Sequence, residues 1–338
     1  MKMKNRYFLT GMVMMLLAAG CGKPNEPESV IPPDTSGGYK IVATYVTPGL
    51  AQDVVVRDRL AYLAEGEGGL LILDVATPSD PKFVSVTTDG VRGYSSKVAL
   101  KDSIVYLAAG TFGINAINAA NPDTPFVTIA NVAMKPARNL LVHEHYLFAA
   151  TSETGVSIAN ILYPSQPEPR GGVNTIGYAM GLAISSDSAF LYVASGEMGM
   201  SIYNISNFQD GYGIYPLSGW CDTPGYAESI LILEDRSLAF LACGTAGLQI
   251  MDYSDTTNIH IVGSYSTGGY AKELAFQDDR IMITCEKQGL QVIDVTDVAN
   301  PVFIGQVISQ FALGLDVNDN YIYVADEVEG LLVISIPQ

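Results

Sequence analysis

The chain has 338 residues and a formal net charge of −17; 48% of its residues are hydrophobic, 16% are charged and 33 are glycine. That composition excludes disorder and fits a turn-rich folded body, large enough for one big domain or two ordinary ones. Without residues 1–20 the charge is −20, which excludes nucleic acid and anionic lipid as surfaces the body would seek.

The first predicted element is a leader over residues 1–20. Lys2, Lys4 and Arg6 precede an apolar run from Phe8 to Ala19. The run is too short to cross a bilayer and reads as a secretory signal. Its end, "LLAAGC", resembles the lipobox of bacterial lipoproteins, with Ala18 standing where leucine is commonest. The resemblance implies that Cys21 is lipidated and becomes the first mature residue. The protein would then sit in the bacterial cell envelope, anchored at the outer membrane and facing either side of it. Residues 21–38, "CGKPNEPESVIPPDTSGG", are rich in Pro, Ser and Gly and read as a tether. At about 3 Å per residue it could reach roughly 50 Å. The lipid would be the only membrane contact, and the expected state is a monomer.

Residues 39–338 carry an internal repeat. A glycine opens each of seven apolar runs: Gly69, Gly113, Gly155, Gly199, Gly247, Gly289 and Gly330, spaced by 44, 42, 44, 48, 42 and 41 residues. Five places after each glycine stand Asp74, Asn118, Asn160, Asn204, Asp252, Asp294 and Ser335. Each unit holds four short β segments, in the first roughly Asp53–Arg57, Leu60–Ala64, Leu70–Val75 and Lys82–Thr87, with turn residues between them. No segment has a long 3.6-residue period, so helices are not expected. Four strands in about 43 residues is the size of a β-propeller blade. The reading is all-β, a seven-bladed propeller of four-stranded blades. The last unit, "GLLVISIPQ", lacks a fourth strand, while "YKIVATYV", Tyr39–Val46, resembles the fourth strands elsewhere. It is expected to complete the last blade and to remove the open edges.

The apolar run, the Asp and the following "ATPSDP" or "TDVANP" resemble the LVIVD repeat family of bacterial secreted and lipid-anchored propellers. "GLLILDVATPSDP" and "GLQVIDVTDVANP" are the nearest copies; the third and fourth, "NILYPSQPEP" and "NISNFQDGYG", are degenerate. The resemblance implies a fold and an extracytoplasmic setting. It implies no reaction.

The Asx series is expected to set turns by bonding nearby backbone N–H groups, since seven symmetric positions cannot share one ion. Asp316–Glu327 imitates a calcium loop, but Tyr321 stands where the glycine is needed, and the stretch aligns with an ordinary hairpin. His143, His145 and His260 are too scattered to form a metal site. No catalytic residue, metal or cofactor is assigned. Cys243 and Cys285 share a repeat position and Cys221 lies between the fourth and fifth blades; a Cys221–Cys243 disulfide is possible, with three free thiols as the alternative.

First strands line the channel of a propeller. The residues expected at its mouth are Leu50, Tyr94, Pro136, Tyr178, Tyr226, Tyr270 and Phe311, then Gln52, Ser96, Arg138, Met180, Glu228, Lys272 and Leu313, then Asp53, Lys97, Asn139, Gly181, Ser229, Glu273 and Gly314. The ring position repeats, whereas the polar positions change from blade to blade. Arg138, Lys97 and Lys272 beside Glu228 and Glu273 could grip a polar or anionic small molecule, or a glycan stacked on Tyr94, Tyr178, Tyr226, Tyr270 or Phe311. The opposing reading makes the rings blade-to-blade packing and the charges a solvated rim. Three functions follow: a non-catalytic module binding a glycan, peptide or envelope protein; a hydrolase or lyase with its site in the channel; or a structural part of an envelope assembly.

Overall fold

The computed structural model describes residues 34–208 and 213–337. The leader, Cys21 and most of the expected tether lie outside the described residues. The compact unit runs from Thr35 to Gln338 and so begins four residues before the boundary expected at Tyr39. In that short lead-in the Gln306 N–H donates to the Thr35 carbonyl at 2.9 Å.

Period-two alternation is what makes the body a ring. In the first blade, strands Asp53–Arg57, Leu60–Ala64, Leu70–Asp74 and Lys82–Thr87 pair antiparallel in that order. Along Leu70–Asp74 successive side chains face opposite ways. Leu71 and Leu73 join a cluster with Tyr323 and Val333 of the seventh blade, while Leu70 and Ile72 join Val105 and Leu107 of the second. Both faces of the sheet are apolar, so each must be covered by a neighbour. Seven such four-stranded sheets satisfy one another, with one buried cluster at each blade junction. The first strands touch all the way round, and Asp53–Arg57 against Ala312–Asn318 closes the circle. At six junctions a lone bridge stitches the turn after the second strand to the start of the next blade, as in Gly66 with Ser95. Among the described residues there is no α-helix, and Glu234–Arg236 is a single 3₁₀ turn.

The last blade orders as Ala312–Asn318, Tyr321–Asp326, Gly330–Ser335 and then Lys40–Tyr45. The register runs from Lys40 opposite Ser335 to Tyr45 opposite Leu331. The N-terminal strand completes this blade, as its likeness to the fourth strands implies.

The anchor glycine has a steric cause. Gly69 has φ +76°, and a Cβ there would lie 2.3 Å from the Thr87 carbonyl oxygen on the neighbouring outer strand. Gly330 repeats this in the closing blade, with φ +91° and Tyr45 O at the same 2.3 Å. Only a residue without Cβ fits such a left-handed, close approach. The Asx residues behave as turn setters: Asp74 Oδ1 accepts from Ala76 N–H at 2.9 Å, Asn160 Oδ1 from Leu162 N–H at 2.8 Å and Asp294 Oδ1 from Thr296 N–H at 2.8 Å. Asp316–Glu327 is a hairpin, with Asn318 opposite Tyr321.

The cysteines take the second of the two arrangements the sequence left open. Cys221, Cys243 and Cys285 are free thiols in the structure. Cys221 ends the outer strand of the fourth blade, Leu217–Cys221, and its thiol donates to the Asp222 carbonyl at 3.4 Å. Cys243 is buried in the next blade and donates to Thr223 Oγ1 at 3.5 Å.

Candidate functional site

The starts of the seven first strands converge on one pit at the channel mouth. Its walls include Gln52, Ser96, Arg138, Met180, Glu228, Lys272 and Leu313, one from each blade, and its volume is about 200 Å³. These are the seven side chains that break the symmetry of the repeat.

A charged septum forms the floor. The Lys97 ammonium from the second blade reaches Asp53 Oδ1 of the first at 3.3 Å and crosses the channel to Glu273 of the sixth. Asp53 Oδ2 also accepts from the Val98 N–H at 3.0 Å. Glu273 accepts a hydrogen bond from Ser229 Oγ as well. Below this layer lies a second chamber of about 200 Å³, walled by Val54, Leu140, Leu315 and Asp316 among others. Burial pushes the Asp53 carboxyl up to about 6, with Lys97 opposing and Glu273 reinforcing the shift. Burial also works against both other members. It is outweighed: Asp53 and Glu273 hold the Lys97 ammonium more firmly protonated than usual, and Lys97 keeps Glu273 below its usual range. Lys97 and Glu273 are thus spent on each other, which their place in the sequence could not disclose.

A second pair stands on the rim. Lys272 Nζ lies 3.3 Å from Glu228 Oε1 and 5.1 Å from the centre of the Tyr270 ring, and the Tyr270 hydroxyl donates to Glu228 Oε1 at 2.7 Å. Burial and the neighbouring Glu228 push the Tyr270 phenol upward.

The ring position proves to serve packing as well as the mouth. A Cβ on Gly66 would come within 2.7 Å of the Tyr94 ring; on Gly196 it would be 2.9 Å from Tyr226, and on Gly244 2.9 Å from Tyr270. Each ring therefore lies on a glycine of the preceding blade, which accounts for the recurrence. Phe311 is tied at the equivalent place through its backbone, whose N–H donates to Asp326 Oδ2 at 2.7 Å. Tyr94 and Tyr178 still leave 38% and 39% of their surface open to solvent. The pattern lapses at several places, among them Leu50 at the ring position of the first blade and Glu286 at the glycine position before Phe311. Pro136 replaces the ring in the third blade, and Ser152 replaces the glycine beneath Tyr178. Beside them opens a recess of about 460 Å³ lined by Pro136, Arg138, Ser152, Glu153, Thr154, Tyr178, Met180 and Tyr226. Arg138 borders both pit and recess.

Among the described residues no three His, Cys, Asp or Glu side chains come together as a metal-binding set. His143 Nε2 instead meets Ser188 Oγ at 2.7 Å, and His260 Nδ1 the Asn258 carbonyl at 3.0 Å, both away from the mouth. No helix is long and apolar enough to cross a membrane, among the described residues.

Seven four-stranded blades in a closed ring, each first strand innermost, define a seven-bladed β-propeller. The LVIVD repeat model matches residues 48–89, 176–208, 224–267, 268–308 and 312–337, over half of the sequence, and the chain belongs to the LVIVD repeat family. The longest unmatched stretch within the propeller, residues 90–175, covers the second and third blades. The third is one of the two copies expected to be degenerate; the fourth is matched only to residue 208, within its degenerate "NISNFQDGYG", and the second, "GINAINAANPDTP", departs from the pattern by its small Ala and Asn residues. Among solved structures, the computationally designed protein Ika8 is similar at 9% identity with a TM-score of 0.64, covering 88% of this chain and 100% of its own. A chain from the crystal structure of the mitotic checkpoint complex is similar at 13% identity with a TM-score of 0.68, covering 98% of this chain and 100% of its own. At such identities the likeness speaks for the fold alone. No curated protein matches.

Proposed function

We propose that this protein is a lipid-anchored, extracytoplasmic propeller that binds a glycan, peptide or protein partner at the channel mouth without chemically changing it. The observation that carries the reading is the pit itself. Seven non-equivalent side chains from seven equivalent positions face one concavity, above a floor closed by Asp53, Lys97 and Glu273. A scaffold needs only the repeated residues, so positions that vary together around one pocket are where a ligand would act. The acids that a hydrolase or lyase would draw on, Asp53, Glu228 and Glu273, are held on Lys97 and Lys272. The "LLAAGC" ending at Cys21 and the Pro-rich stretch after it support the anchor.

The test is a screen of glycans and short peptides by calorimetry against residues 35–338, repeated with Arg138→Gln. Saturable binding that the variant weakens supports the mouth; binding that the variant leaves untouched, or none to any probe, overturns it. For the anchor, Cys21→Ser should release the full-length protein from membranes into the soluble fraction. Continued membrane retention would refute lipidation.

A further inference from the structure

Resting on the mouth as a binding surface, a narrower chemistry follows from its charges. Three cations border the pit, and two are neutralised: Lys97 by Asp53 and Glu273, Lys272 by Glu228. Arg138 enters no ion pair among the described residues. Its Nε donates to Ser152 Oγ at 3.2 Å, which fixes the guanidinium and leaves its outer N–H groups to the recess. The one acid lining that recess, Glu153, is likewise in no ion pair among the described residues. Two opposite charges thus share a cavity without pairing with each other. Between them lie the apolar surfaces of Pro136, Tyr178, Met180 and Tyr226.

We propose that this recess binds a zwitterion of amino-acid type, free or at a peptide end. Its carboxylate takes the Arg138 fork, its ammonium takes Glu153, and its apolar side chain lies on Tyr178 and Met180. A planar guanidinium suits a carboxylate through two parallel hydrogen bonds. A second negative charge on the ligand would meet Glu153 at close range. It would also meet the field of a body carrying −20 without residues 1–20, so a dianion or an acidic polysaccharide is disfavoured against a ligand with no net charge. The recess forms where the repeat is broken. A proline stands in place of the ring and a serine in place of the glycine, and both line the recess. At about 460 Å³ it falls within the usual size of a small-ligand pocket.

The test is calorimetry on the full chain with four probes: L-phenylalanine, N-acetyl-L-phenylalanine, L-phenylalaninamide and D-glucuronate. Phenylalanine is expected to bind saturably, and each blocked derivative to bind at least about tenfold more weakly, because each loses one charge-assisted contact. Arg138→Gln should weaken phenylalanine by a similar factor and leave the amide unaffected. Glu153→Gln should do the same to phenylalanine and leave the N-acetyl derivative unaffected. Both side chains are exposed, and unchanged melting temperatures would show that the variants are folded. The proposal is overturned if N-acetyl-phenylalanine matches phenylalanine, if Glu153→Gln has no effect, if glucuronate binds and phenylalanine does not, or if no probe binds. A positive glycan or peptide screen beside such a failure would leave the mouth as a binding surface with another ligand chemistry; a negative one would remove both.

Discussion

Glu65 is a carboxylic acid with no exposed surface, under the loop that carries Thr47 and Gly49, where the first blade meets the strand arriving from the last. Neither of its carboxyl oxygens has a hydrogen-bond partner at normal distance. Burial pushes it up to about 7 from an ordinary 4.5, with Gly49 and Thr47 close enough only to temper the effect. A raised folded-state value means that the fold prefers the protonated form. The contribution is fully present below pH 4.5 and is lost as pH rises towards 7, where the unfolded chain is already ionised and the folded one becomes so. At about 1.4 kcal/mol per unit, the shift amounts to about 3 kcal/mol in all, most of it falling between pH 5 and pH 8. Glu65→Gln keeps the shape and removes the titration. Urea denaturation of both proteins at pH 5, 6, 7 and 8 should show the native chain losing about 2–3 kcal/mol more than the variant over that range. The difference between the two slopes is the readout, so any constant cost of burying an amide cancels. Parallel slopes would mean that Glu65 is hydrated or paired, and the reasoning would fail.

Removing the septum cation by Lys97→Met should cost about 3–5 kcal/mol at pH 7, because two buried carboxylates lose their shared partner. The loss should shrink towards pH 5 as Asp53 takes up a proton, and equal effects at both pH values in denaturation would count against the septum. Gly69→Ala, which places a Cβ 2.3 Å from Thr87 O, should destabilise by about 3 kcal/mol or more, while Gly110→Ala, with φ +53° and nothing within 4 Å, should cost about 1 kcal/mol. Similar melting temperatures for the two variants would refute the steric account. Deleting residues 39–46 should expose the edge of Gly330–Ser335 and give lower melting temperature with self-association on size exclusion; a stable monomer would show that the ring does not need its closing strand. Burial pushes the Cys243 thiol up to about 11 and the Cys285 thiol up to about 12. Of Cys221, Cys243 and Cys285, iodoacetamide at pH 8 should therefore label only the partly exposed Cys221 in the folded protein, and a labelled Cys243 would contradict its burial.

The parts of the molecule that were legible from sequence are those set by backbone geometry. A left-handed turn pressed against a carbonyl tolerates only glycine, so the anchor recurs seven times and fixes the blade count. An Asx side chain that caps its own turn recurs for the same local reason. The closing strand was legible because Tyr39–Val46 has the alternation of its six counterparts. What lay hidden depends on which side chains meet across the axis. Lys97 and Glu273 come from the second and sixth blades, 176 residues apart, and no spacing rule joins them. Reading Lys97, Lys272 and Arg138 as three equal cations overlooked that two are neutralised. The signal for Arg138 was nonetheless present, two places beyond Pro136, where the ring position lapses. Glu65 escaped notice because an acid that shares its repeat position with Ala109, Thr151, Ser195, Cys243, Cys285 and Asp326 looks exposed until the cover over it is known.

The latch of the ring also dictates a timetable. Lys40 and Ser335, bonded across that seam, are 295 residues apart. The earliest strand to leave the ribosome is consequently the last to find its mate. At about 5–20 residues per second it must wait roughly 15–60 s with its hydrogen-bonding groups unspent. The finishing step of folding belongs to the beginning of the polypeptide, and that short segment has to be kept from pairing elsewhere in the meantime.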